Sequence, residues 1–116
     1  MGTRVDRAAQ LVSQLQTAGV KATGDAAAAQ NNRPCVLVAP PAIDWQAGTY
    51  AGPMLTWRLV CLAGHDNADL AAFQQIDDLV DQVEAAGLPV ELAEPAAYQL
   101  TPSTGTVPAY IIRITE

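Results

Sequence analysis

"RPCVLVAPPAIDW" (residues 33–45) is the stretch on which the fold turns. Cys35, Val36, Leu37 and Val38 form a nearly continuous apolar run of strand formers, the texture of a strand central in a sheet or covered on both faces. The strand is expected over 34–39, because Pro40 and Pro41 have no N–H to give to a ladder. The chain should then leave the sheet as a stiff arm, AIDWQAGTYAGP (42–53). Trp45 and Tyr50 give this arm two apolar bodies with polar tips. Such side chains either fold back over the edge of a core or anchor a contact with another chain.

Upstream, RVDRAAQLVSQLQTA (4–18) places Val5, Ala8, Leu11, Val12, Leu15 and Ala18 at three- and four-residue steps, which predicts an amphipathic helix. Thr3 followed by Asp6 resembles a capping box, and Gly19 supplies a left-handed stop. Residues 21–33, KATGDAAAAQNNR, could hold one helical turn capped by Asp25. Gly24 and the NNRP that follows favour reading them as a connection.

Downstream, MLTWRLVCLA (54–63) alternates as a second strand. Leu55, Trp57, Leu59 and Cys61 point one way, towards helices; Met54, Thr56, Arg58, Val60 and Leu62 point the other. NADLAAFQQIDDLVDQVEAA (67–86) is the longest helical pattern. Its expected stripe is Leu70, Phe73, Ile76, Val80 and Val83, widened by Ala72, Leu79 and Ala86. Asp66 or Asn67 should cap it, with Asp69 in the first turn, and Gly87 and Pro89 should end it. VELAEPAAYQL (90–100) reads as a third strand whose Pro95 argues for an edge or a bulge. VPAYIIRIT (107–115) reads as a fourth, with Tyr110, Ile112 and Ile114 on one face. TPSTG (101–105) makes the two a hairpin. The order α-β-β-α-β-β predicts a single α+β domain over 1–116, a mostly antiparallel four-stranded sheet with two helices packed on one face.

Composition narrows the function. The 116 residues suffice for one core, and half of them are apolar. Twelve acids against six bases give a net charge of −6. Arg4, Arg7, Lys21, Arg33, Arg58 and Arg113 are scattered along the chain, which argues against tight nucleic-acid binding. The N-terminus MGTRVDRAAQ has no apolar signal core, Asp6 stands where a myristoylation motif wants Ser or Thr, and no apolar run is long enough to span a membrane. A cytoplasmic origin is expected. Cys35 and Cys61 match no zinc spacing and read as buried, reduced thiols.

No phosphate loop, dinucleotide fingerprint or nucleophile elbow occurs. His65, Asp66 and Asp69 can be drawn as metal ligands or an acid–base set, but a solvated loop histidine beside helix-capping aspartates is the simpler reading. Asp77, Asp78, Asp81 and Glu84 can be drawn as a cation site. They read more simply as a solvated face, or as a surface that repels phosphate. Nothing is arranged for a reaction, so no catalytic residue, metal or cofactor is expected, and binding or structural work is the better expectation.

The succession resembles the tail terminator proteins of long-tailed phages, particularly those of actinobacterial hosts. The resemblance lies in the first helix, the Ala-rich connection, "RPCVLVAPP", "TWRLVCLAG", "DLAAFQQIDDLVDQVEAAG" and the closing "VPAYIIRITE". It covers nearly the whole chain and is one of order, length and texture. It implies a hexameric ring on the head-proximal end of the tail tube, in the neck of the virion. Such a ring stops tube polymerisation, docks head-completion proteins and lets the genome pass, without cofactor or catalysis. Trp45, Tyr50 and Arg58 are then candidate interface residues. Asp77, Asp78, Asp81 and Glu84 are a candidate lining of an acidic lumen from which DNA slides. Two other readings stand beside it: a different neck, connector or tail-completion protein, and a small dimeric ligand-binding regulatory domain with Arg58 and His65 at its pocket. An enzyme ranks below both.

Overall fold

The structure is a computed structural model and describes residues 3–45, 54–64, 69–99 and 106–115. In chain order it has α1 (Thr3–Thr17), β1 (Ala22–Thr23), α2 (Ala26–Asn31), β2 (Cys35–Asp44), β3 (Met54–Leu62), α3 (Leu70–Ala85), β4 (Leu92–Gln99) and β5 (Thr106–Thr115). The strands form one sheet in the order β1-β2-β3-β5-β4. β1 pairs parallel with β2, and every other pair is antiparallel. The α+β class is as expected. Among the described residues the sheet has five strands and is mixed, and there are three helices, where four strands and two helices were expected. The additions fall in the segment read as a connection. Asp25 caps α2, its carboxylate accepting the Ala27 N–H at 3.1 Å. The two residues of β1 lie alongside Val36 and Leu37.

Register fixes the two faces, because directly paired residues share a side. Val38, Leu59, Ile112 and Ala93 form one row, and Trp57 with Ile114 belongs to the next. The Phe73 ring of α3 lies 6.2 Å from Tyr110, which alternation puts on this same face. Val5 and Ala8 of α1 share a groove with Val38 and Trp57, so α1 lies over it too. The Gln14 amide donates to the Ala86 carbonyl at 3.2 Å and ties the two helices together. The core between helices and sheet contains Leu11, Leu15, Ala72, Ile76, Leu79 and Val83, all buried. Two helices on one face is therefore the expected arrangement. The third takes the opposite face: Cys35, opposite to Val36 in the pleat, donates its thiol to Ala29 of α2 at 3.5 Å. The back face is dry at that end, where Cys35, Leu37, Val60 and Leu62 are also buried.

The opening stretch corrects the expectation drawn from its prolines. β2 does not stop at Ala39; it runs through Pro40 and Pro41 to Asp44. Ala39 pairs with Arg58 and Ala42 with Thr56, so three steps on β2 oppose two on β3. This is a bulge, with one residue more than the ladder needs. Val38 and Ile43 are five apart and would lie on opposite faces of a regular strand. The extra residue puts both on the helix side, Ile43 beside Leu55. The prolines fit because β1 reaches only Val36 and Leu37. Past that point the outer edge of β2 has no strand to donate to among the described residues.

α3 begins at Leu70, and its cap is Asp69, whose Oδ1 accepts the Ala72 N–H at 2.9 Å. Asp66 and Asn67 lie outside the described residues. The buried stripe is Ala72, Ile76, Leu79 and Val83, rotated from the expected one: Leu70 is 70% and Phe73 47% exposed. Gly19 closes α1 at φ +87°, where an L side chain would be strained. The Val20 N–H reaches back to Leu15 and the Gly19 N–H to Gln16. β4 is the expected edge strand, with β5 as its only neighbour among the described residues and Pro95 within it. The turn at 101–105 lies outside the described residues.

Candidate functional site

Three surfaces stand out. The first is a groove between the start of α3 and the β4–β5 strand pair, walled by Ala72, Phe73, Ile76, Pro95, Ala97 and Pro108. It follows from the rotated stripe. Alanine at position 72 lets the helix approach the sheet closely, so Phe73 lies beside the contact and only partly covers it. The second is on the same face towards the β2 edge of the sheet, where Val5 of α1 meets Pro41, Ile43 and Trp57. Val5 is largely exposed, and Trp45, just beyond the end of β2, is 66% exposed.

The third is the back of the sheet away from α2. Its rows run Cys35–Leu62–Ala109–Ala96, then Leu37–Val60–Ile111–Glu94, then Ala39–Arg58–Arg113–Leu92. The first row is apolar and the last carries two arginines side by side, both exposed. Arg113 meets Glu94 at 3.4 Å, and Arg58 meets no carboxylate among the described residues.

Of the candidate residues, Arg58 is thus on the wet half of the back face and Trp45 at the far end of β2. Tyr50 and His65 lie outside the described residues. Asp77, Asp78, Asp81 and Glu84 are all exposed on the outer side of α3. Asp69 is occupied as a helix cap. Among the described residues no three of His, Cys, Asp and Glu converge as metal ligands. Sequence reasoning missed Arg113, Glu94 and Leu92 as neighbours of Arg58. That row depends on the registers of two strand pairs, β3–β5 and β4–β5, which alternation along each strand does not fix.

Cys35 and Cys61 lie on opposite faces and are both buried free thiols. Burial pushes Cys61 up to about 12, helped by the nearby Cys35, and burial raises Cys35 too. A thiolate is therefore scarce at either position. The folded protein is expected to resist a thiol reagent at pH 8 and to take up two equivalents once unfolded in urea. Rapid labelling of the folded chain would contradict this.

No family model, characterised relative or solved structure matches the chain. No described helix is long and apolar enough to cross a membrane.

Proposed function

We propose that this chain is a structural subunit of a phage tail, a tail terminator that assembles as a hexameric ring on the head-proximal end of the tail tube. It would end tube growth and receive the head-completion proteins. The observation that carries this reading is the pair of unlike apolar surfaces at opposite edges of the helix-covered face of one small sheet. One is the Phe73–Pro95 groove beside the β4 edge, the other the Val5–Ile43 groove with exposed Trp45 near the β2 edge. A head-to-tail ring uses two different patches per subunit. The net charge of −6 suits a passage through which DNA must slide without binding. The role is mechanical, with no chemistry and no cofactor.

The regulatory-domain alternative needs a pocket with convergent polar groups. The Phe73–Pro95 groove has apolar walls, and the one acid at its rim, Asp69, is engaged as a cap. A different neck or connector role shares the ring logic and is separated by what the ring caps.

The test is native mass over a range of concentrations, imaging by negative stain, and addition of tail tubes. A six-fold ring with an open centre that caps tubes supports the proposal; a stable dimer at all concentrations refutes it. Trp45→Ala should weaken ring formation while changing unfolding free energy by no more than about 0.5 kcal/mol, as expected for an exposed side chain. Unchanged assembly and tube capping would remove Trp45 from the interface.

A further inference from the structure

The wet half of the back face and the outer side of α3 carry opposite charges in the same order. Arg58 and Arg113 are directly paired across β3 and β5, an arrangement in which like charges repel. They are two of only six basic residues in a chain with twelve acids, and one carboxylate, Glu94, stands beside them. Leu92, 45% exposed, continues the row beyond Arg113. The row thus reads apolar, cation, cation, at steps of about 4.8 Å, the spacing of adjacent strands.

The outer side of α3 carries the matching order. Phe73, Asp77 and Asp81 follow one another at four-residue intervals on one stripe, with steps of about 6 Å. The stripe reads apolar, anion, anion. Both acids are exposed, and Phe73 is half exposed.

We propose that the back-face row of one copy docks on the α3 stripe of a second copy: Leu92 against Phe73, Arg113 against Asp77, Arg58 against Asp81. Helix stripe and sheet back lie on opposite sides of the domain, so the contact is head-to-tail and each copy offers one of each surface. This rests on the ring reading and adds to its two groove surfaces a charged contact that begins at Phe73, a wall of the first groove. It assigns Asp77 and Asp81 to the neighbour instead of the lumen. Asp78, about 100° around the helix from Asp77, stays free to face the passage.

The test is reciprocal charge reversal on the full chain, read by native mass and tube capping, with circular dichroism to confirm folding. Arg58→Glu with Arg113→Glu should raise the concentration for half-assembly at least about tenfold, and Asp77→Arg with Asp81→Arg should do the same. All four changes together should restore assembly, and 1 M salt should weaken the wild type. Arg58→Gln with Arg113→Gln, a gentler change, should also weaken it. The contact is overturned if either glutamine or glutamate variant, folded, assembles at the wild-type concentration. It is also overturned if the folded four-fold variant stays monomeric. In both cases a wild-type ring that caps tubes leaves the ring reading standing. Restored association into open chains that cap nothing would uphold the contact and refute the ring. A wild type monomeric at every concentration overturns the contact, with tube capping then deciding the ring.

Discussion

Replacing Trp57 with alanine is expected to lower the unfolding free energy by about 3–5 kcal/mol, the usual cost of emptying a large aromatic site. Trp57 is the largest fully buried side chain of the domain. It pairs with Ile114 across β3 and β5 and helps to floor the groove under α1. A domain of this size has about 5–15 kcal/mol in all, so the variant should unfold at far lower urea and show a broadened thermal transition. Its indole N–H is buried and makes no hydrogen bond among the described residues, a defect that costs about 1–3 kcal/mol. Trp57→Phe removes that donor and keeps most of the apolar area. Its loss should therefore be less than half that of the alanine variant. Equal losses in the two would mean that the N–H is satisfied and that the ring's full volume is what matters. Trp45 remains in both variants as an exposed fluorophore, so circular dichroism in urea is the cleaner readout.

Trp57 also shows which features the sequence made legible. The alternation in 54–63 gave its face correctly, as did Tyr110, Ile112 and Ile114 for β5, because a period of two over nine or ten residues has few alternatives. Gly19 and Gly87 marked helix ends because both occupy a left-handed backbone that an L side chain resists. The misses have separate causes. A strand of two residues and a helix of six are too short to establish a period, so β1 was missed, and the Asp25-capped turn that became α2 was set aside for a connection. The prolines were read as terminators because they cannot donate. Their tolerance depends on an open strand edge and a surplus ladder residue, both tertiary facts. On α3, hydrophobic weight favoured Leu70 and Phe73 over Ala72, whereas close packing favoured the small side chain. That last error exposed the groove, so the surface most useful to the functional reading lies where the simple pattern fails. The arginine row lay hidden for a related reason: it joins residues 55 positions apart through a register.

Val60→Lys is expected to cost at least about 3 kcal/mol, the penalty of an unpaired buried charge. Arg58→Val, two residues away on the same face of the same strand, should stay within about 0.5 kcal/mol in the monomer. Alternation alone would treat these positions alike. The structure separates them: Val60 is 1% exposed, in the row with Leu37 and Ile111, whereas Arg58 is exposed. The pH dependence distinguishes true burial from a lysine that bends out to solvent. Burial disfavours the ammonium, so the folded-state pKa of the new lysine falls below the unfolded value of about 10.4. The unfolded chain then binds more protons between the two values, and the stability of the variant should climb as pH rises from 7 towards 10. Val60→Thr, uncharged and of similar shape, should lack that climb. A flat profile for Val60→Lys would place its ammonium in water and the boundary of the dry half nearer to α2. A climbing profile would leave the Arg58–Arg113 row as the wet remainder of the back face, the part of the sheet that α2 does not cover and that a second copy is proposed to occupy.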